Sequence, residues 1–377
     1  MALVFFDEAF ANGLRERFRT GTNEEVACDL RREASKAMSL GPWSVTYHKS
    51  PAKSGNLHDY FSEGPYWWPN PDDPNGPYIR RDGEKNPDLF EYHRSDLEQM
   101  SQTTLLLAAA GFCLDEPAYT ERACELLSVW FVEEETRMNP HLEYGQAIRG
   151  HCDGRGIGII DTAQLLNVIH AADYLELSGY DLASLRQWFG EYLNWMNTSE
   201  IGLEEKHNFN NHGNWWNTQA AAYAAFCGNE ALLTETFESL RTKILPEQMN
   251  SDGSFADELT RTNAYTYSLY NLEATVLACE VAHYQGVDLW HFIAPEGQGA
   301  EAGISFMLPY LENPFLWNYQ QIHAAFAGGN IALQLGGLRL HRPDFWRVNK
   351  MRREGYRPAY ETSHIGPLCL LPGYDEE

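Results

Sequence analysis

Stretches of helical periodicity follow one another along most of this sequence, and that succession restricts the fold more than any other feature. Apolar residues recur at three- and four-residue steps in 96–112, 117–131, 161–177, 182–196, 216–226, 231–245, 267–283 and 316–340, with no convincing run of alternating strands between them. The openings of alternate helices return at roughly fifty-residue intervals, as Asp161-Thr162-Ala163-Gln164, Trp216-Asn217-Thr218-Gln219 and Tyr265-Thr266-Tyr267-Ser268. Such a period predicts an all-α chain of stacked helical hairpins, an α/α toroid, formed as one domain over residues 1–377. An ordinary helical bundle with coincidental spacing is the competing reading. In a toroid the N-terminal ends of the inner helices share one rim, where unpaired backbone N–H groups favour anions.

One segment breaks the helical pattern. Residues 51–87 are dense in Pro, Gly, Asn and Asp (YWWPNPDDPNGPY), which argues against regular structure there. So long an irregular stretch in a helical chain is expected to be a functional loop or lid.

The formal net charge of -25 disfavours nucleic acid and anionic membrane surfaces, which would repel the whole molecule. It does not exclude a local cationic cleft, since remote surface acids are screened beyond a Debye length of about 8 Å. From Lys206 to Asn229 the sequence contains no Asp or Glu but holds His207 and His212. The seven cysteines are scattered and never form C-x-x-C, so neither a disulfide framework nor a zinc site is expected. No apolar run approaches the roughly 18 residues of a membrane span. The apolar start from Ala2 to Phe6 is shorter than the core of a signal peptide, about 7–15 residues. The chain is expected to be soluble, to act in the periplasm or outside the cell if a leader has been removed, and to need no cofactor or metal; a cytoplasmic home and the oligomeric state stay open.

Three local clusters carry the chemistry. The first is the run from His207 to Trp216 (HNFNNHGNWW), crowded with amides, imidazoles and indoles just before an apolar helix. Singly, such Asn residues are most often caps or turn formers and such His residues satisfied surface or core groups. The second is the run from Asp252 to Tyr267 (DGSFADELTRTNAYTY), in which Arg261 taken alone would more often be a structural ion-pair partner. The third is Asn56-Leu57-His58-Asp59-Tyr60 followed by Gly64-Pro65-Tyr66-Trp67-Trp68-Pro69, where aromatics in a loop suit either stacking on sugar rings or a small core of the loop itself.

Together with the run from Gln146 to Thr162 (QAIRGHCDGRGIGIIDT), these clusters resemble the alginate-lyase superfamily of α/α-toroid polysaccharide lyases, over about Asn56 to Asn271. The six-residue step from Arg261 to Tyr267 after the Asn-His pair is most similar to polysaccharide lyase family 38, which includes glucuronan- and alginate-active enzymes. The resemblance implies cleavage of an acidic polysaccharide by β-elimination, with Asn211, His212, Arg261 and Tyr267 catalytic. It implies substrate contacts from His58, Tyr60, Tyr66, Trp67, Trp68, Arg149, His151, Arg155, Asn210, Trp215, Gln219 and Tyr265. Tyr265 competes with Tyr267 for the proton-transfer role.

These residue types fit that chemistry. The proton at C5 of a uronate is barely acidic while the adjacent carboxylate is a free anion, so the site has to neutralise the carboxylate. Asn211 offers an amide donor, Arg261 a permanent cation and His212 a further N–H. A tyrosine beside a guanidinium is expected to be shifted toward phenolate. In β-glucuronate and β-mannuronate the C5 hydrogen and O4 lie on one ring face, so a single tyrosine can take the one proton and return it to the other oxygen. In guluronate the faces are opposite, and a second group such as His212 has to be the base. Two rivals remain: a toroid glycoside hydrolase using two of Asp161, Asp252 and Glu258 about 5–9.5 Å apart, and a non-catalytic uronan-binding protein.

Overall fold

The computed structural model describes residues 3–22, 24–324, 328–354, 362–363 and 366–373. In chain order the helices are α1 (Glu8–Thr20), α2 (Glu24–Ala37), α3 (Tyr92–Leu114), α4 (Pro117–Leu127), α5 (Leu166–Leu177), α6 (Ala183–Thr198), α7 (Glu200–Lys206), α8 (Asn211–Cys227), α9 (Glu230–Ser239), α10 (Leu245–Gln248), α11 (Ala256–Leu259), α12 (Ala264–Tyr284), α13 (Ala300–Glu312), α14 (Ile331–Arg339) and α15 (Pro343–Glu354).

Which helices lie inside follows from how widely each is buried. Helices α1 and α2 bury one stripe apiece, Ala11, Leu14 and Phe18 in the first and Ala27, Leu30 and Ala34 in the second, as one-sided packing requires. Helices α3, α5, α8, α12 and α14 are buried on every side along most of their length. Small residues permit this: Ala108, Ala109 and Ala110 in α3 and Ala220, Ala221 and Ala222 in α8 let neighbouring backbones approach without a cavity. These inner helices touch in succession, α3 to α5 to α8 to α12 to α14, while α2 and α4 cover α3, α6 and α9 cover α8, α13 covers α12 and α15 covers α14. The arrangement is an α/α toroid. Residues 366–373 pack against the inner helices α5 and α14: Gln334 of α14 donates to the Leu368 and Pro372 carbonyls, and the Tyr174 hydroxyl of α5 to that of Leu370.

Three sequence expectations change. Residues 51–87 are not structureless: β1 (Phe61–Glu63) pairs in parallel with β4 (Tyr144–Ala147), and β2 (Trp67–Trp68) pairs antiparallel with β3 (Ile79–Arg80). The turn residues between β2 and β3 close that hairpin through Asp73 N–H to the Asn70 carbonyl and Gly76 N–H to the Asp73 carbonyl. Second, Trp216 does not open its helix; α8 starts five residues earlier because the Asn210 side chain caps it. Likewise Asp161 to Gln164 lie in a 3₁₀ turn (Gly156–Leu165) ahead of α5. Third, the helix expected over 316–340 is confined to α14, and its residues 325–327 lie outside the described set. Pro314 sits in a short 3₁₀ turn, and the chain then runs along the start of α12, where Gln320 O accepts from Ala264 N, Ile322 N donates to Thr262 O and Gln321 Oε1 accepts from Tyr265 N. Among the described residues no helix is long and apolar enough to cross a membrane.

Candidate active site

The starts of α8 and α12, the turn ahead of α5 and the 51–87 loop converge on one cleft of about 390 Å³. Asn210, Asn211 and His212 line it from α8, Arg261, Tyr267 and Tyr270 from α12 and the turn before it, Asp161 and Gln164 from the turn ahead of α5, and Pro65, Tyr66 and Trp67 from the loop. The inner-helix N-termini therefore do share a rim, and residues distant in sequence meet there.

The Asn-His pair is shaped by its own helix start. Asn210 Oδ1 accepts from His212 N at 3.0 Å, fixing the first turn, and a Cβ at Gly213 would run into the Asn208 carbonyl oxygen, so the turn requires glycine. A buried carboxylate stands behind each member. Glu258 Oε1 accepts from Asn211 N at 2.7 Å and from Asn211 Nδ2 at 2.9 Å, and Glu205 Oε1 lies 2.7 Å from His212 Nδ1. Burial pushes the Glu258 carboxyl above its ordinary range, against the pull of the Asn211 hydrogen bonds. An amide nitrogen carries two hydrogens, so Asn211 retains one beyond the bond to Glu258.

Arg261 is clamped from the loop. Asp82 accepts from its Nε at 3.2 Å and its Nη2 at 2.9 Å, and Asp82 also meets Arg80 and the Thr262 hydroxyl. Burial would raise the Asp82 carboxyl, but Arg261, Thr262 and Arg80 together hold it well below the usual carboxylate range. The Arg261 guanidinium carbon lies 3.6 Å from the centroid of the Tyr267 ring, and the Tyr267 hydroxyl oxygen is 2.7 Å from that of Tyr66. Here a sequence expectation is corrected. Arg261 does pull the Tyr267 phenol downward, but burial and the neighbouring Tyr66 outweigh it, so Tyr267 titrates well above an ordinary tyrosine and is held as the phenol.

Four guanidiniums, Arg80, Arg94, Arg155 and Arg261, line the cleft against the carboxylates Glu98 and Asp161, so an acidic protein holds a locally cationic groove. Arg94 is paired with Asp161, which also accepts from Tyr60, Ser62 and Gln146. Arg155 forms no ion pair among the described residues; its Nε and Nη2 donate to the Gln146 carbonyl and Oε1. Gln146 holds this bridge from a left-handed backbone at φ 48, a conformation that costs a non-glycine residue about 1–3 kcal/mol.

The remaining expected contacts are distributed differently. Tyr60, Trp215, Gln219 and Tyr265 are buried and present no face to a sugar: Tyr60 supports Asp161, Trp215 packs at a tilt against Tyr270, Gln219 bonds the Thr162 hydroxyl and Tyr265 packs edge-on against Trp317. For Trp215, Gln219 and Tyr265 the helical period that places them near the rim also turns their side chains into the core. His58 ties the loop to the Arg137 carbonyl, and Trp68 bonds the Glu84 carbonyl with Arg81 over its ring, so neither is part of the cleft wall. Arg149 is held by Glu63 and Tyr78, His151 by the Tyr78 carbonyl; both line a neighbouring depression of about 490 Å³, joined to the cleft through Trp67, whose ring lies 4.9 Å from that of His151. The sequence reading missed Asp82, Arg94, Gln146, Glu205, Glu258 as a partner of Asn211, and Tyr270. Gln146 and Glu258 lay in recognised motifs, Glu258 there only as a candidate hydrolytic carboxylate; the others are ordinary charged or aromatic residues until the fold brings them together.

Among the described residues no group of three His, Cys, Asp or Glu side chains is gathered as a metal site. The hydrolase candidates are poorly placed: Glu258 is wholly buried, Asp161 is bound by four side chains and Asp252 does not line the cleft. The sequence pattern of the alginate lyase family matches residues 44–317. The chain is similar to a crystal structure of an alginate lyase from Bacteroides ovatus, with 30% identity over 98% of this chain and 99% of that one and a TM-score of 0.88. Alginate lyase A1-III from Sphingomonas species A1 shares the fold at 17% identity, over 97% of this chain and 94% of that one, with a TM-score of 0.61. A histidine-to-alanine variant of that enzyme complexed with a tetrasaccharide aligns at 16% identity over the same shares, with a TM-score of 0.62. No curated protein matches the chain in sequence. With most of its length matching one family pattern, and a relative of that family superposing from end to end, this chain belongs to the alginate lyase family and is a polysaccharide lyase.

Proposed function

We propose that this lyase cleaves a β-1,4-linked uronate polymer, glucuronan or the mannuronate stretches of alginate, leaving a 4,5-unsaturated uronate at the new non-reducing end. The observation that carries this reading is Tyr267, its ring face under the Arg261 guanidinium and its hydroxyl on Tyr66, in the same cationic cleft as Asn211 and His212. The alginate lyase from Bacteroides ovatus supports alginate as one substrate, and the six-residue step from Arg261 to Tyr267, which resembles that of polysaccharide lyase family 38, supports glucuronan as the other. Asn211 and Arg261 neutralise the uronate carboxylate, so that the charge released when C5 loses its proton is met by fixed donors. Tyr267, hydrogen-bonded to Tyr66, stands as the acid for the departing O4. On β-uronates, where the C5 hydrogen shares that face, Tyr267 first gives its own proton to solvent in the open cleft, then takes the C5 proton as phenolate and hands it to O4 as the C4–O4 bond breaks and the C4–C5 double bond forms, ending as the phenolate it began as. Arg155, Trp67 and Arg149 and His151 beyond them are the proposed contacts to neighbouring sugars. A polymer does not cross a membrane, so the proposed place of action is the periplasm or the cell exterior.

A second reading is favoured by the state of Tyr267. A tyrosine held as phenol is better prepared as acid than as base, and His212 stands in the same cleft. With His212 as base, the C5–H bond breaks toward His212, the C4–O4 bond breaks as O4 takes the Tyr267 proton, and the C4–C5 double bond forms; this opposite-face elimination suits guluronate. Glucuronan, polymannuronate, polyguluronate and hyaluronan, each incubated with the protein and followed by ultraviolet absorbance of the unsaturated end, test both readings. Activity on glucuronan or polymannuronate alone supports the first and added activity on polyguluronate supports the second. Saturated ends, or no product from any polymer, would overturn both.

A further inference from the structure

Glu205 lies at the end of α7, seven residues before His212, and its carboxylate is 1% exposed. One oxygen is 2.7 Å from His212 Nδ1, and the other accepts from Asn208 Nδ2 at 3.4 Å. An ionised carboxylate only accepts hydrogen bonds, so the ring nitrogen facing it carries the hydrogen. In a neutral imidazole that leaves Nε2 with a bare lone pair. The geometry around the ring allows little alternative: His212 sits in the first turn of α8, pinned by the Asn210 cap and by the glycine turn at Gly213, and it lines the cleft with its Nδ1 edge committed to Glu205.

We infer that Glu205 is a positioning residue that holds His212 as the Nδ1–H tautomer, presenting Nε2 to the cleft as a proton acceptor. This changes what His212 contributes. A neutral ring in this tautomer offers no N–H to the substrate carboxylate, which is left to Asn211 and Arg261, and it offers a base instead. When Nε2 takes a proton, the buried carboxylate behind it stabilises the imidazolium at a site where an unpaired cation would be costly. The inference rests on the lyase reading of the cleft for its catalytic consequence, but the tautomer itself does not.

Imidazole nitrogen NMR on ¹⁵N-histidine-labelled protein, with the His212 signals identified by their loss in His212→Gln, reads the tautomer without any turnover. The expected result is a protonated Nδ1 and an unprotonated Nε2 in the neutral ring, replaced in Glu205→Gln by a mixture of tautomers. Glu205→Gln is expected to lower kcat on the preferred polymer by about ten- to a hundredfold, the usual effect of losing such a partner, with KM within about twofold. Glu205→Asp, which keeps the charge but shortens the arm, should keep the tautomer and recover part of kcat. Protonation at Nε2 in the neutral wild-type ring overturns the inference, and so does wild-type kcat in a folded Glu205→Gln. If Glu205→Gln does not fold, the wild-type spectrum and the Asp variant decide. If the wild-type protein makes no unsaturated product from any uronan, the lyase reading fails while the spectrum still judges the Glu205–His212 assignment alone.

Discussion

The guanidinium of Arg261 addresses the ring face of Tyr267, at 3.6 Å from Cζ to the centroid, while the hydroxyl of Tyr267 is engaged by Tyr66. The cation is thus shared among Asp82, the aromatic face and the cleft, and its influence on the phenol is offset by burial. Where the two aromatic hydroxyls meet is where proton transfer is expected.

Tyr267→Phe keeps the ring under Arg261 and removes that oxygen. Elimination on β-uronates is expected to be abolished, with the fold and polymer binding nearly intact. Tyr265→Phe, altering a buried side chain packed on Trp317, is expected to retain most turnover. Wild-type-like formation of unsaturated product by Tyr267→Phe would remove it from the mechanism.

Arg261→Ala and Asn211→Ala each remove a donor to the developing carboxylate charge. Loss of one such donor costs about 2.7–4 kcal/mol of transition-state stabilisation, so at least about a hundredfold in kcat is expected from each. Steady-state kinetics with near-normal turnover in both would sink the carboxylate clamp.

Asp82→Asn tests whether the loop's hold on Arg261 matters for rate. The amide keeps one acceptor oxygen of the two that hold Arg261 and has no charge to pair with Arg261 and Arg80. A guanidinium free to shift by about 1 Å is expected to cost roughly a hundredfold in kcat/KM. Because Asp82 is partly exposed, only a small change in Tm is expected; full activity with unchanged Tm would mean that the clamp is incidental.

His93 makes stability acid-sensitive. It is buried beneath the loop, its Nδ1 accepting from Phe61 N at 3.0 Å and its Nε2 donating to the His48 carbonyl at 2.9 Å, and burial lowers its pKa from 6.5 to about 4. The unfolded chain takes up this proton near its ordinary value, the folded one only near 4, so between these values the unfolded state carries more protons and stability falls as pH falls. The contribution is present above about pH 6.5 and should decline by about 3 kcal/mol on the way to pH 4. Denaturant unfolding at a series of pH values checks this, and a His93→Gln variant with the same slope would assign the effect elsewhere.

Much of the architecture, and the meeting of Asn211, His212, Arg261 and Tyr267 in one cleft, was legible in the sequence because both rest on short-range signals. The period of apolar residues predicts helices, and the alanine-rich, wholly apolar windows around 108–110 and 220–222 are those that the toroid places inside. The Asn211-His212 pair and the Arg261-to-Tyr267 step are local motifs, so they can be read without knowing what faces them. What only the tertiary structure decided is which partner each group meets. Trp215, Gln219 and Tyr265 sit within or beside the motifs yet face the core, because one helical turn carries both a cleft face and a buried face, and Tyr60, just ahead of β1, is turned inward to Asp161. The influence of Arg261 on Tyr267 had the right sign in the sequence, but its outcome depended on desolvation, which is a property of everything packed around the phenol. In a chain of net charge -25, Asp82 and Glu205 look like unremarkable acids and Glu258 like a candidate hydrolytic carboxylate. They acquire meaning when folding places each carboxylate within hydrogen-bond reach of Arg261, His212 and Asn211, a few ångströms that sequence spacing alone does not specify.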